Sequence, residues 1–383
     1  TTLDPFAGKL SYARIISGKA TEGMGFYNTT NETEDKISKM FTLIGKQQVP
    51  LTSASAGDII VIPKLDNVRT GDTLASKEFP VKYPDIAFPS SLYTVCVSAE
   101  NKGDEEKLGA ALNKIAEEDP TCVVRKDVES GQLQLSTMGE VHLDHILSKM
   151  ERKYGAKALL SKVYIPYRET IRGKSTAEGK HKKQSGGHGQ YGHVVIDLEP
   201  ATNGEVFEFV DAIVGGAIPR QFIPAVEKGA VETLAKGVIA GYPLINIKMT
   251  LKDGSFHSVD SSEMAFKVAA SLALKKGIPE AKPVLLEPIY AVDVMVPEAY
   301  MGDIIGDISS KRGRVLGMEP GEDGITTVKA RVPYSEMLEY GVQLRAMTQG
   351  RGSFDMKFDA YEEVPAKLAE TIIADYKAAN ADA

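Results

Sequence analysis

Asp104-Glu105-Glu106-Lys107-Leu108-Gly109-Ala110-Ala111-Leu112-Asn113-Lys114-Ile115-Ala116-Glu117-Glu118 is the stretch on which the fold turns. Its apolar residues Leu108, Ala111, Leu112 and Ile115 recur at helical spacing and share one face. A strand-like run precedes it (residues 92–99), and two follow (122–127 and 132–137), joined by Glu129-Ser130-Gly131. A second helix from about Glu140 stacks Leu143, Leu147, Met150 and Tyr154, and Gly155 closes it. One more strand completes the order β-α-β-β-α-β, a ferredoxin-like module.

The same order recurs near the C-terminus. Residues 289–296 read as a strand, and 300–310 as a helix with Met301, Ile304, Ile305 and Ile308 on one face. Strands at 314–319 and 326–332, a helix at 335–347 with Ser335 as its N-cap, and a strand at 353–361 complete the repeat. It repeats architecture, with little repetition of sequence. A final helix over 364–379 carries Leu368, Ile372 and Tyr376 on one face, which calls for a docking surface.

Outward from these modules the pattern changes twice. The first 85 or so residues are short strand-like runs punctuated by Gly8, Gly18, Gly23, Gly25, Gly57 and Gly71, which suggests a small β-barrel. Its first strand looks cut short, as in a fragment of a longer protein. Between the modules, residues 165–284 are mixed: an irregular basic, glycine-rich opening, then strands at 194–198 and 244–251 and a helix around 224–235. A further helix runs over 261–276, with Asp260 as N-cap, Glu263 three residues on, and Gly277 and Pro279 at its end. The whole is a multidomain α+β chain of 383 residues, within the two to four domains such a length holds.

Composition narrows function. Lys and Arg total 45 against 52 Asp and Glu, a net charge of −7, so no uniformly basic nucleic-acid coat is present. Basic residues are instead concentrated locally, in Arg168, Arg172, Lys174, Lys180, Lys182 and Lys183, with His181 beside them. No apolar run approaches membrane-spanning length, and Thr1-Thr2-Leu3-Asp4-Pro5 is no signal peptide. Cys96 and Cys122 lie in apolar strand-like stretches, as buried packing in a reducing compartment would have them.

Chemistry-bearing motifs are few. Gly187-His188-Gly189-Gln190-Tyr191-Gly192 fits G-x-G-x-x-G, but a basic stretch precedes it and a strand follows, the wrong order for a dinucleotide site. Two readings remain, a plain hairpin connection or a loop that probes nucleic acid with backbone, Lys, His, Gln and Tyr. Gly173-Lys174-Ser175 resembles the end of a phosphate-binding loop, but position 168 is Arg where that motif needs Gly. No such loop, no nucleophile elbow and no catalytic cysteine pairing occurs, so no catalytic residue is expected in this chain. His142 and His145 sit near Glu140 and Asp144 without a third ligand, and read as a solvated helix face with no metal. His257 to Glu263 forms a strand-to-helix turn that reads equally as a capped helix start or as a phosphate contact. Ser309-Ser310-Lys311-Arg312-Gly313-Arg314 and Arg345 form two basic clusters, dipole partners or an RNA surface.

Several motifs together resemble bacterial elongation factor G. They are Gln184-Ser185-Gly186-Gly187-x-Gly189-Gln190-Tyr191-Gly192-His193, His257-x-Val259-Asp260-Ser261-Ser262-Glu263-Met264-Ala265-Phe266 and Glu287-Pro288-Ile289. Tyr300-Met301-Gly302-Asp303-Ile304-x-Gly306-Asp307 and Thr348-Gln349-Gly350-Arg351-Gly352 extend the match. Ala116-Glu117-Glu118-Asp119-Pro120-Thr121, Met138 to Asp144 and Gly71-Asp72-Thr73-Leu74 carry it into the earlier part.

The resemblance implies a translation-factor barrel (domain II, residues 1–86), a ferredoxin-like domain III (87–163), an elongated α/β domain IV (164–284) and a ferredoxin-like domain V (285–362). A terminal helix (363–383) would return toward domain IV. It implies a parent protein that hydrolyses GTP with Mg in a separate GTP-binding domain, and no cofactor in this chain. It further implies a cytoplasmic, monomeric factor that binds both ribosomal subunits and their RNA and acts on tRNA–mRNA in the decoding region.

Carried over by motif, Ser185, Gly186, Gly187, His188, Gly189, Gln190, Tyr191, Gly192, His257, Asp260 and Ser261 would form the domain IV tip, a steric and hydrogen-bonding wedge. Ser309, Lys311, Arg312, Arg314, Tyr340, Gln343 and Arg345 would face large-subunit RNA. His188 stands where housekeeping factors usually carry Arg, and His181-Lys182-Lys183 resembles the form found in paralogues. A recycling paralogue and a ribosomal-protection factor therefore stay open beside translocation.

Overall fold

The structure is a computed structural model that describes residues 1–379, apart from 5, 6, 46, 90, 92, 184–188, 203, 322 and 323. It is a multidomain α+β fold in two compact units, residues 1–164 with 338–346, and residues 165–337 with 347–383. No helix among the described residues is long and apolar enough to cross a membrane.

In the first unit, short strands enclose a small core and a second, smaller cluster of Leu10, Phe41 and Val61. A five-stranded sheet runs β1 (Thr2–Asp4), β2 (Gly8–Arg14), β9 (Ile59–Pro63), β6 (Met40–Ile44), β7 (Gln47–Leu51). A three-stranded sheet of β10 (Leu74–Ala75), β4 (Gly25–Asn28) and β5 (Thr33–Lys36), and the pair β3 (Lys19–Thr21) and β8 (Ser53–Ser55), complete it. Inside are Phe26, Ile37, Met40, Ile60, Ile62 and Leu65.

The ferredoxin-like module follows. Strands β11 (Tyr93–Ala99), β12 (Val123–Lys126), β13 (Leu133–Thr137) and β14 (Ala158–Ser161) pair antiparallel in the order β12-β13-β11-β14. Helices α1 (Glu105–Glu118) and α2 (Glu140–Tyr154) bury Leu108, Ala111, Leu112, Ile115, Leu143, Ile146 and Met150 in one core, with Gly155 left-handed at the end of α2. Cys96 and Cys122 are buried free thiols, and burial pushes the Cys122 thiol up to about 12, so it is inert near neutrality.

Polar contacts join this module to the first strands. The buried Glu118 carboxylate meets Lys149 at 2.5 Å and Lys153 at 2.6 Å and accepts from the Leu3 amide at 2.7 Å. Lys9 reaches Glu117 at 2.5 Å. His142 departs from the solvated face expected of it. Its Nε2 lies 3.0 Å from Asp119 and its Nδ1 accepts from the Met138 amide at 3.2 Å, which fixes the proton on Nε2. The N-terminus of α2 faces the end of α1, and the ring bridges the two.

In the second unit, β15 (Arg168–Ile171) pairs with the start of β20 (Pro283–Pro297). The rest of β20 is the central strand of the second ferredoxin-like sheet. It pairs with β22 (Ile325–Pro333) on one side and β23 (Ser353–Glu363) on the other, and β22 pairs with β21 (Arg314–Pro320). Helix α5 (Met301–Ser310) follows β20 in sequence. The single helix expected at 335–347 is two, α6 (Tyr334–Met337) and α7 (Tyr340–Met347), interrupted at Leu338-Glu339, and all of α7 but its last residue belongs to the first unit.

The intervening domain has the sheet β16 (Ser175–Lys183), β17 (Gln190–Pro200), β19 (Ile247–Ser255), β18 (Phe207–Asp211), covered on one face by α3 (Ile223–Lys236) and α4 (Glu263–Glu280). The basic opening expected to be irregular is therefore a regular nine-residue strand, β16. Helix α4 buries its own Ala269, Ala270, Ala273 and Leu274 in the core, with Phe266 stacked on Phe222 at 5.0 Å. Gly277 and Pro279 lie inside α4 and do not end it. A Cβ at Gly277 would stand 2.8 Å from Leu198, so the glycine serves close packing, and the Gly277 carbonyl accepts from Ser175 Oγ at 2.8 Å.

At the base of this domain the fully buried Glu169 accepts four backbone amides. Val238 and Ile239 donate to Oε2 at 2.8 and 2.9 Å, and Ala240 and Tyr242 to Oε1 at 2.8 and 3.1 Å. The turn it organises carries Ala240 and Tyr242 into an apolar cluster with Leu368, Ala369, Ile372 and Ile373 of α8 (Ala366–Ala379).

Candidate nucleic-acid interface

Strands β16 and β17 form an antiparallel hairpin in which Lys183 faces Gln190 and Ser175 faces Leu198. Residues 192, 194, 196 and 198 of β17 turn inward and are buried, while 191, 193, 195, 197 and 199 line the open face. Two glycines let α4 close on this hairpin. A Cβ would fall 2.0 Å from the Ala269 carbonyl oxygen at Gly179 and 2.5 Å from that of Ala265 at Gly192. That close approach brings the loop before α4, residues 256–262, alongside the start of β17.

The two segments are tied by their own polar groups. Asp260 Oδ1 accepts from the Gly189 amide at 2.9 Å, and the Asp260 carbonyl accepts from the Tyr191 amide at 2.8 Å. Ser261 Oγ donates to the Tyr191 carbonyl at 3.0 Å and accepts from the His257 amide at 2.9 Å. Asp260 is not the N-cap of α4. Ser262 is, accepting from the Ala265 amide at 3.2 Å, because the Asp260 carboxylate is turned toward the hairpin. Gln190 and His257 remain exposed, with Gln190 Oε1 2.9 Å from His181 Nε2 and the His257 ring 6.4 Å from the Tyr191 ring.

A cross-strand ladder absent from the sequence reading supports Tyr191. Its hydroxyl meets Ser255 Oγ at 2.7 Å, Ser255 meets His193 Nδ1 at 2.8 Å, and His193 Nε2 meets Glu178 at 2.9 Å. Only the strict alternation of β17, with its partners placed on β16 and β19, could have signalled it.

Of the expected tip residues, Gly189, Gln190, Tyr191, Gly192, His257, Asp260 and Ser261 are brought together at one end of this sheet. Ser185, Gly186, Gly187 and His188 lie outside the described residues.

The residues of the second set differ in exposure and in partners. Tyr340 is fully buried, so its ring fills space inside the fold. Arg312 places its fork on the buried Glu287 at 2.5 and 2.9 Å and its Nε on Glu336 at 3.0 Å, an ion-pair clamp and no free cation. Lys311 pairs with Asp307 at 3.0 Å, and Arg345 donates to the Met138 carbonyl at 2.9 Å. Ser309, Arg314 and Gln343 are exposed, although Ser309 Oγ donates to the Ile305 carbonyl at 2.8 Å. Among the described residues no group of three or more His, Cys, Asp or Glu side chains could hold a metal ion.

Four family models match in succession. Residues 1–77 match elongation factor G domain 2, 88–162 match elongation factor G domain III, 164–282 match elongation factor G domain IV, and 284–372 match the elongation factor G C-terminus. A crystal structure of a protein from Thermus thermophilus is similar over 98% of this chain, with 38% identity and a TM-score of 0.79. The chain spans 56% of that protein.

Proposed function

The chain belongs to the elongation factor G family, and from that premise we propose that it serves protein synthesis by binding the ribosome and promoting the movement of tRNA and mRNA. The observation that carries this reading is the paired tip. Gln190 and His257 project from two segments tethered through Asp260 and Ser261 at the end of one sheet. A rigid, polar wedge of this kind can occupy a site between nucleic-acid strands and hydrogen-bond to their bases without breaking a bond.

In this reading both ribosomal subunits are partners. The tip enters the decoding region of the small subunit, and Ser309, Arg314 and Gln343 face large-subunit RNA. GTP and Mg belong to the GTP-binding domain of the family's full-length members, and the factor is a cytoplasmic monomer. None of the four matched domains is the GTP-binding one, so hydrolysis is assigned to the parent protein.

Co-sedimentation of this chain with bacterial ribosomes at two salt concentrations tests the proposal, with full-length elongation factor G as competitor. Salt-sensitive binding that the competitor displaces is expected. Binding that the competitor leaves untouched, or none at low salt, overturns it.

A further inference from the structure

The basic run from Arg168 to Lys183 divides in the fold. Arg172 pairs with Glu363, and Lys174 with Glu199 at 2.6 Å. Along the open face of the β16-β17-β19-β18 sheet the base is likewise neutralised. Lys248 lies 3.1 Å from Glu199 and 4.0 Å from Glu208, and Lys252 lies 3.2 Å from Asp197, which also accepts from Thr176 at 2.6 Å.

Toward the tip the lysines lose their carboxylate partners, and the acidic neighbour on that face, Glu178, lies 2.9 Å from His193 instead. Lys180 and Lys182 alternate on the open face, cross-strand from His193 and Tyr191, and neither forms an ion pair among the described residues. Lys180 Nζ instead stands 5.8 Å from the centre of the Tyr191 ring. Resting on the family reading and deepening it, we infer that Lys180 and Lys182, with Tyr191 and His193 beside them, form a strip that tracks an RNA backbone along β16, next to the tip.

The chemistry selects RNA. Residues two apart on a strand lie roughly 7 Å apart on one face, so the two ammonium groups can meet neighbouring phosphates of one strand. The Tyr191 ring alongside supplies a face on which a base can stack, while His193, with its ring nitrogens on Ser255 and Glu178, holds that ring in place through Ser255. No aliphatic side chain stands in the Lys180–His193 and Lys182–Tyr191 pairs to form the apolar centre a protein interface needs. On a chain of net charge −7, two unpaired cations here mark where a polyanion is admitted.

The test compares salt dependence of binding to purified bacterial 70S ribosomes for the unaltered chain, K180Q/K182Q, and the control K174Q/K252Q. The control removes the same charge from lysines already ion-paired. Each lost phosphate contact lowers the slope of log K against log salt by roughly 0.7–0.9, so the first variant should lose about 1.5 and the control almost nothing. Circular dichroism confirms that both variants fold. Equal slopes for the two variants overturn the strip while leaving the family reading intact, whereas failure of the unaltered chain to bind overturns both. If the difference vanishes on protein-free ribosomal RNA, the partner is a ribosomal protein and the RNA assignment falls.

Discussion

Replacing Glu169 with glutamine turns one carboxylate oxygen into an amide nitrogen at a fully buried position. The native oxygens accept two amides each, from Val238 and Ile239 on one side and Ala240 and Tyr242 on the other. Glutamine can satisfy one pair only, and its NH2 then faces two other donors. Each donor left without an acceptor costs about 1–3 kcal/mol, and the two surviving bonds fall from charge-assisted to neutral strength. Burying a neutral amide is cheaper than burying a carboxylate, which offsets part of this, so a net loss of about 3 kcal/mol is expected. The chain has no Trp, so urea unfolding is followed by far-ultraviolet circular dichroism or Tyr fluorescence, with amide exchange read at 238–242. Because Ala240 and Tyr242 also seat α8, exchange in 366–379 should quicken as well. An E169Q protein within about 0.5 kcal/mol of the unaltered one, with these amides still protected, would refute the reasoning.

Two further outcomes follow from the same accounting of polar groups. D260A removes the acceptor of the Gly189 amide and should speed exchange at Gly189 and cost about 1 kcal/mol, while D260N, which keeps an oxygen there, should restore most of the protection; equal exchange in all three proteins would show that the two tip segments are not tied through this side chain. Burial alone would raise the Glu118 carboxyl, but hydrogen bonds from Lys149, Lys153 and the Leu3 amide outweigh it and hold it below the ordinary range. A depressed folded value means its stabilisation is complete above the unfolded Glu pKa of about 4.3 and is lost as pH falls through the folded value. Protection of the β1 amides, taken relative to their intrinsic exchange rate at each pH, should therefore fall on acidification below about pH 4, and an E118Q protein should lack that pH dependence.

The resemblance to elongation factor G could be read from local strings, because Gly-Gln-Tyr-Gly and Val-Asp-Ser-Ser-Glu are contiguous. Helices α1, α2 and α5 were equally legible, since a repeating apolar face is a property of neighbouring residues. Strand β16 was not. Gly179 and its charged neighbours hide an alternation that becomes visible only when α4 packs within van der Waals reach of Gly179. The single helix expected at 335–347 failed for a related reason: its apolar spacing is continuous, but the break at Leu338-Glu339 leaves no local signal.

The sequence by itself determined the strand and helix order of the first ferredoxin-like module, the presence of the second, and the family, because periodicity and motif are encoded between near neighbours. Tertiary structure alone decided what each polar group does. It turned Asp260 from helix cap to tether, Arg312 from candidate RNA contact to clamp on Glu287, Tyr340 from surface to interior, and His142 from solvated face to bridge. It also separated the paired lysines of the basic run from Lys180 and Lys182. A charged or hydrogen-bonding side chain takes its role from the partner within about 3 Å, and that partner lies tens of residues away in sequence.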